Sequence, residues 1–200
     1  METIMILTVA TVLIVLLFDF TNGFHDAANI IATVIASRAM TPVQAVVVVA
    51  VFEFLGPLLG GTAVANTIGK FVDLGGTPPI LALSVLLCGL LGAVAWNLLT
   101  WWKGIPSSSS PALVGGLIGA VMVAVGGQHV VWGFAELFRD GTLTGVTKVL
   151  LALVISPLAG FWCGFLILRA VHWLLRTARP SANIGLRRAQ FLTSASLAFS

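Results

Sequence analysis

Charge is the scarcest commodity in this sequence. Only 8% of its 200 residues are Asp, Glu, Lys or Arg, whereas soluble globular domains carry about a quarter. With 58% hydrophobic residues and a mean hydropathy of +1.09, the composition excludes a soluble domain and implies an integral membrane protein. Cysteine is almost as rare. Cys88 and Cys163 are the two present, both in apolar runs and without partner spacing. That excludes a disulfide framework and a zinc-type Cys/His cluster, and leaves buried free thiols as the expectation. The formal charge of +3 does not indicate nucleic-acid binding, because the basic residues punctuate the ends of apolar segments and form no stripe. A basic leader and a small-residue cleavage site are also missing after Met1-Glu2, so the first apolar run is expected to be a retained span.

What is plentiful is apolar sequence in lengths that fit a bilayer, where a crossing takes about 20 residues. Five stretches qualify, at 4–36, 42–65, 79–102, 112–135 and 146–170, and a sixth begins near Ala189. The expected fold is all-α, a polytopic transmembrane helical bundle. Twenty-one glycines and eight prolines point to close helix contacts and interrupted helices. Arg38 follows the first span, and Arg169, Arg176, Arg179, Arg187 and Arg188 follow the fifth. Basic residues favour the cytoplasmic side, which places the N-terminus outside, in a cell membrane, and a basic loop at 169–188 inside. Lys70, Arg139 and Lys148 then lie outside, and Lys103 inside or part-way in a re-entrant hairpin.

Two polar interruptions break the apolar pattern. The first is FDFTNGFHDAAN at 18–29. At about 100° per residue, Asn22, Asp26 and Asn29 share a helical stripe with Asp19 at its margin, within an arc of about 80°. Carboxylate and amide oxygens suit a small hard cation, and amide N–H groups suit an anion. Gly23, Ala27 and Ala28 would let the backbone approach a neighbour or unwind, offering carbonyl oxygens as further ligands. The plainer alternative is a hydrated helix end capped by Asp19. His25, read as lying on the opposite side, is expected to pack or sit at an interface and not to ligate a metal. Glu53 in the second span has no evident local partner; a proton or cation site and a protonated structural residue are both open to it.

The second interruption is GIPSSSSP at 104–111. Serine is a good N-cap and proline a good first helical residue, so Ser110-Pro111 is expected to start a helix. The free N–H groups at that end, with hydroxyls from Ser107, Ser108, Ser109 and Ser110, would form an anion site fit for phosphate or sulfate. A serine-rich surface loop is the alternative. Irregular backbone survives within a membrane only where it lines a cavity or is covered by protein. A cation-type and an anion-type cluster in one membrane domain together suggest cation-coupled anion uptake.

The same segments carry a resemblance. NGFHDAAN at 22–29, running into IIATVIASR, then EFLGPLLGGTAVANTIGK at 53–70 and GIPSSSSPALVGG at 104–116, resemble, in order, three signatures of the inorganic phosphate transporter family in its bacterial low-affinity form. The resemblance implies two inverted repeats around one phosphate site, each with a Pro/Ser-rich re-entrant hairpin, and symport driven by sodium or protons. It implies that Asp26 and Asn29 lie at the coupling-cation and phosphate region and that Ser107 to Ser110 hold phosphate; the polar stripe itself adds Asn22 as a candidate cation ligand, with Glu53 and Asp19 as candidate proton or cation groups. No cofactor beyond the coupling ion is implied. Pro111 stands where many members have His, which removes a donor and a titratable group. On this reading residues 1–188 correspond to the first repeat and 189–200 to the opening of the second, so phosphate, lipid and a second repeat are the expected partners, with a homo-oligomer also compatible. A sulfate permease of the same family and a non-transporting membrane subunit are the alternatives. A lipid-phosphate hydrolase using His25 and Asp26 is disfavoured, because no nucleophile, base and orienting group can be named.

Overall fold

The computed structural model describes residues 1–60, 74–176 and 182–199. Every regular element in them is helical: α1 (Glu2–Ala36), α2 (Pro42–Gly60), α3 (Pro79–Lys103), α4 (Ser109–Ala124), a 3-10 turn (Gly127–His129), α5 (Phe134–Asp140), α6 (Gly145–Leu174) and α7 (Ala182–Phe199). Among the described residues α1, α3 and α6 are long and apolar enough to cross a membrane. The all-α polytopic expectation therefore holds.

Local chemistry accounts for the helix ends. Before α2 the chain reads Thr41-Pro42-Val43-Gln44. Gln44 Oε1 accepts from the Thr41 amide at 3.1 Å while Thr41 Oγ1 accepts from the Gln44 amide at 3.4 Å. This reciprocal capping box has proline at the first helical position, where no N–H is needed. Met40 and Ala45 are buried together with Val34, so apolar contact pins the turn from α1 into α2. Helix α3 ends on Gly104 at φ +64°. Its amide donates to Trp101 O, and that of Ile105 to Thr100 O at 2.9 Å, the Schellman arrangement that a left-handed glycine permits. The chain thereby reverses within a few residues and brings the serine run back along α3.

Helices α3 and α4 form an antiparallel hairpin. Val85 packs with Val121, and a Cβ on Gly89 would lie 3.0 Å from Leu117 Cα. Gly116 rests against the Gly89 carbonyl so closely that no Cβ fits there. Phe18 of α1 joins Leu90, Ala93, Val94, Leu113 and Leu117 in one core cluster. The contacts of Phe18, Thr21 and Phe24 with successively later residues of α3 show that α1 and α3 run parallel.

Several expectations change. Of the two courses open to Gly23, close approach of a neighbour or unwinding, the structure takes neither: α1 is continuous through it, and a Cβ added there would meet nothing within 4 Å. The fourth apolar stretch, expected as a span over 112–135, is the shorter α4. Its 16 residues rise about 24 Å, short of the roughly 30 Å hydrocarbon core; Gly126 at φ +96° then diverts the chain. Helix α4 starts at Ser109 with Ser108 as its cap residue, two residues before the expected Ser110 cap, since Pro111 is equally tolerated later in the first turn, where N–H groups are unpaired in any case. The basic segment is not a loop throughout. Arg169 lies on α6, which continues to Leu174, and α7 begins at Ala182, packing on α2 and α1. Arg179 falls outside the described residues, as do residues 61–70 of the second resemblance segment. Both cysteines are free but exposed rather than buried; on a membrane helix an outward thiol meets lipid, so apolar surroundings do not require burial within the chain.

Candidate functional site

The seam between α1 and α3 is polar where the flanking sequence is not. Thr21 and Asn97 are 1% and 2% exposed, and Asn97 Nδ2 donates to Thr21 Oγ1 at 3.2 Å. Thr21 Oγ1 in turn donates to Phe18 O. One turn further on, His25 Nε2 lies 2.9 Å from Asn97 O and 3.3 Å from Thr100 Oγ1. A carbonyl only accepts, so Nε2 carries the proton and donates. Thr100 Oγ1 donates to Trp96 O at 2.9 Å or Asn97 O at 3.1 Å. Each buried polar group here has a partner, as burial demands. Thr21 and His25 are one helical turn apart, as are Asn97 and Thr100, which is why two short polar pairs mesh along parallel helices.

This stripe fixes the rotation of α1 and so aims the neighbouring stripe. Asn22, about 100° round from Thr21, meets the serine run: Ser109 Oγ donates to Asn22 Oδ1. Ser109 is buried while Ser108 and Ser110 are exposed. Ser107 is held from the other side, with Trp96 Nε1 donating to its Oγ at 2.9 Å. The loop thus lies alongside the middle of α1 and not beyond its end. The first turn of α4 has no side-chain cap, so its N–H groups stay available beside these hydroxyls.

The remaining sequence candidates fall on the same side of α1. Asp26 is half-buried, and Glu53 of α2 is close enough for the two like charges to repel each other, a like-charge neighbour and not a pairing partner. Asp19 and Asn29 are exposed, so their side chains are open to a further ligand or element. His25 is not across the helix from the cluster. It faces α3 on the flank next to Asn29, as a buried packing residue. Sequence reasoning passed over Asn97, Thr100 and Trp96, although an Asn inside the apolar run 79–102 was a visible signal.

A pocket of 630 Å3 opens on the far flank, between α1 and the end of α3, and is lined by Phe20, Phe24, Trp101, Ile105, His25 and Asn29 among others. Its walls are mostly aromatic and aliphatic, unlike the hydroxyl-rich loop on the other side of Pro106. Among the described residues no group of three or more His, Cys, Asp or Glu side chains converges. A cation held beside Asp26 would therefore draw on amide and hydroxyl oxygens as well as carboxylates.

A family model described as "Phosphate transporter family" matches residues 22–199. The chain belongs to the phosphate transporter family. It is 45% identical over 174 residues to a probable low-affinity inorganic phosphate transporter of Streptomyces halstedii, covering 87% of this chain and 75% of that protein. It is 40% identical over 199 residues to a protein of the same description from Bacillus subtilis, covering 98% and 55%. The low-affinity inorganic phosphate transporter PitB of Escherichia coli is 37% identical over 167 residues, covering 80% and 32%. The chain thus spans three quarters of the Streptomyces protein, about half of the Bacillus one and a third of PitB. A solved structure described as "The sodium-dependent phosphate transporter" matches all of this chain and 55% of its own, with a TM-score of 0.72 at 24% identity, a likeness of fold. The family is one of transporters, which sets aside the hydrolase alternative.

Proposed function

We propose that the chain forms the first repeat of a two-repeat, cation-coupled inorganic phosphate symporter in a cell membrane, with its N-terminus outside. Asp26, Asn22 and Asn29 hold the coupling cation, and Glu53 and Asp19 are the auxiliary proton or cation groups. Ser107, Ser108, Ser109, Ser110 and Asn29 contact phosphate, together with the open N–H groups of α4. The observation that carries this reading is the Ser109–Asn22 hydrogen bond, which brings the anion-type and cation-type segments, 87 residues apart in sequence, into one locus. A cation there offsets part of the phosphate charge, which neither cluster does alone. The family, and relatives described as low-affinity inorganic phosphate transporters, support the substrate. The solved fold relative is described as sodium-dependent, which supports sodium as the driving ion.

The second repeat completes the site from the face of α1 that carries Asp19 and Asn29. Rocking of one repeat against the other then exposes the loaded site to the inside. The test is uptake by the full-length protein reconstituted in liposomes, with phosphate or sulfate, under a sodium or a proton gradient applied separately. Phosphate accumulation driven by one of the two gradients is the expected result. Accumulation of sulfate but not phosphate, or none under either gradient, would overturn the assignment.

A further inference from the structure

The two serines that touch neighbouring elements do so with opposite polarity. Ser107 accepts: Trp96 Nε1–H donates to its oxygen, so its own proton is left to point into the loop. Ser109 donates: its proton is committed to Asn22 Oδ1. A hydroxyl has one proton to give. While Ser109 gives it to Asn22, it turns only lone pairs toward the loop, and lone pairs repel an anion. We propose that Ser109 is the element that couples the two ligands, a phosphate-contacting residue whose hydroxyl reverses when a cation binds at Asn22. This inference rests on the symport reading and adds to it the atom through which the coupling runs.

The reversal follows from charge alone. The hydroxyl proton is the positive end of its dipole, and so is drawn to Asn22 Oδ1 while that oxygen is free. A cation coordinated by the same oxygen repels the proton and attracts the hydroxyl oxygen. Rotation about the Cβ–Oγ bond answers both, placing an Oγ lone pair toward the cation and the proton toward the loop. No backbone motion is needed and no covalent bond changes. Ser109 then offers phosphate a donor that it withheld before. Ser107, its orientation set by Trp96, offers its donor whether or not the cation is present. Coupling of this kind is reciprocal, so phosphate must raise cation affinity by the factor by which the cation raises phosphate affinity. One neutral hydrogen bond gained in place of one withheld corresponds to roughly a 2- to 12-fold change in affinity.

The experiment is equilibrium binding of radiolabelled inorganic phosphate to the purified full-length protein, in sodium chloride and in choline chloride at equal ionic strength. The wild type should bind phosphate more tightly in sodium. Ser109→Ala should show a sodium-to-choline affinity ratio roughly 2- to 12-fold smaller than the wild type's, leaving only the direct attraction between cation and anion. Ser107→Ala should bind it more weakly in both and keep the wild-type ratio. Ser109→Thr, which retains a hydroxyl, should restore the sodium dependence. Should Ser109→Ala fail to purify, Ser109→Cys serves in its place, since a thiol is only a weak donor. A Ser109→Ala ratio equal to the wild type's, or a Ser107→Ala ratio that collapses with it, overturns the inference. Wild-type phosphate binding that ignores sodium also overturns it while leaving phosphate transport standing. Absence of any phosphate binding by the wild type would instead refute the function from which the inference starts.

Discussion

Two adjacent glycines should respond oppositely to the same substitution. At Gly116 an added Cβ would penetrate the Gly89 carbonyl oxygen and come within 3.4 Å of Ala93 N. Both are backbone atoms of α3, which no rotamer change can move aside. At Gly115 an added Cβ meets nothing within 4 Å. Overpacking costs about 1–3 kcal/mol, and an obstruction made of backbone belongs in the upper half of that range, about 2–3 kcal/mol. Alanine returns about 1 kcal/mol over glycine inside a helix. Gly116→Ala should therefore lose about 1–2 kcal/mol and Gly115→Ala gain about 1 kcal/mol. At about 2–4 °C per kcal/mol for a chain of this size, the two variants should melt about 4–12 °C apart. Thermal unfolding of the purified protein in detergent, followed by circular dichroism, measures this directly. Phosphate affinity should also fall in Gly116→Ala alone, because prising α4 from α3 displaces the whole serine loop from the polar stripe of α1. Equal melting temperatures, or a more stable Gly116→Ala, would show that the hairpin is not packed through Gly89 and Gly116, and the placement of the serine loop would lose its support.

Three further outcomes test the site. Asp26→Asn keeps the shape and removes the charge, so cation-driven uptake should be lost while the protein still reaches the membrane; unchanged uptake in liposomes would remove Asp26 from the mechanism. Trp96→Phe deletes the N–H that orients Ser107 and should weaken phosphate binding roughly 2- to 12-fold, with the sodium ratio preserved in the same binding assay. Asn97→Leu removes the bond to Thr21, whose hydroxyl still donates to Phe18 O. It should cost only about 0.6 kcal/mol, the average for such bonds between membrane helices, seen as a small drop in melting temperature with phosphate affinity intact.

The fold class was legible because a bilayer leaves few choices: low charge and apolar runs of spanning length force helices. The Asn22–Asp26–Asn29 stripe could also be read, since helical periodicity alone places those residues together. Less visible was how α1 is held. His25 and Thr21 belong to a packed seam with Asn97 and Thr100, and pairing across helices leaves no trace in the local pattern of either one. Gly23, Ala27 and Ala28 left close approach or unwinding open, yet glycine only permits a break and does not compel one. The extent of α4 was missed for a related reason. Apolar sequence continues through Val121–Val125 into Val130–Val131, and only the backbone at Gly126 shows that the helix has already ended. The serine run signals a helix start, and a helix does start within it. Its exact cap depended on Ser109 reaching Asn22, a contact between segments far apart in sequence.

The unbroken course of α1 bears on how such a site can be assembled. In a broken helix, freed carbonyls bring oxygen ligands from the same element as the carboxylates, so one helix can hold a cation nearly unaided. Here the carbonyls of α1 remain in its own hydrogen bonds, and the helix contributes side chains alone on that face. Any cation beside Asp26 must complete its coordination from other elements. One source is α4, through Ser109 at Asn22; another is α2, whose Glu53 carboxylate is close enough to Asp26 for the like charges to repel until a cation lies between them. Helix α4 is shorter than a full crossing, and it meets α1 by its first turn. Ligands drawn from separate helices can be brought together or separated by shifting those helices, which a site within one continuous helix does not allow. The rigid part is the seam of α1 with α3, where buried hydrogen bonds fix the register. On the proposed reading, ion affinity would therefore be a property of helix arrangement, which is the condition under which ion binding can bias a change of conformation.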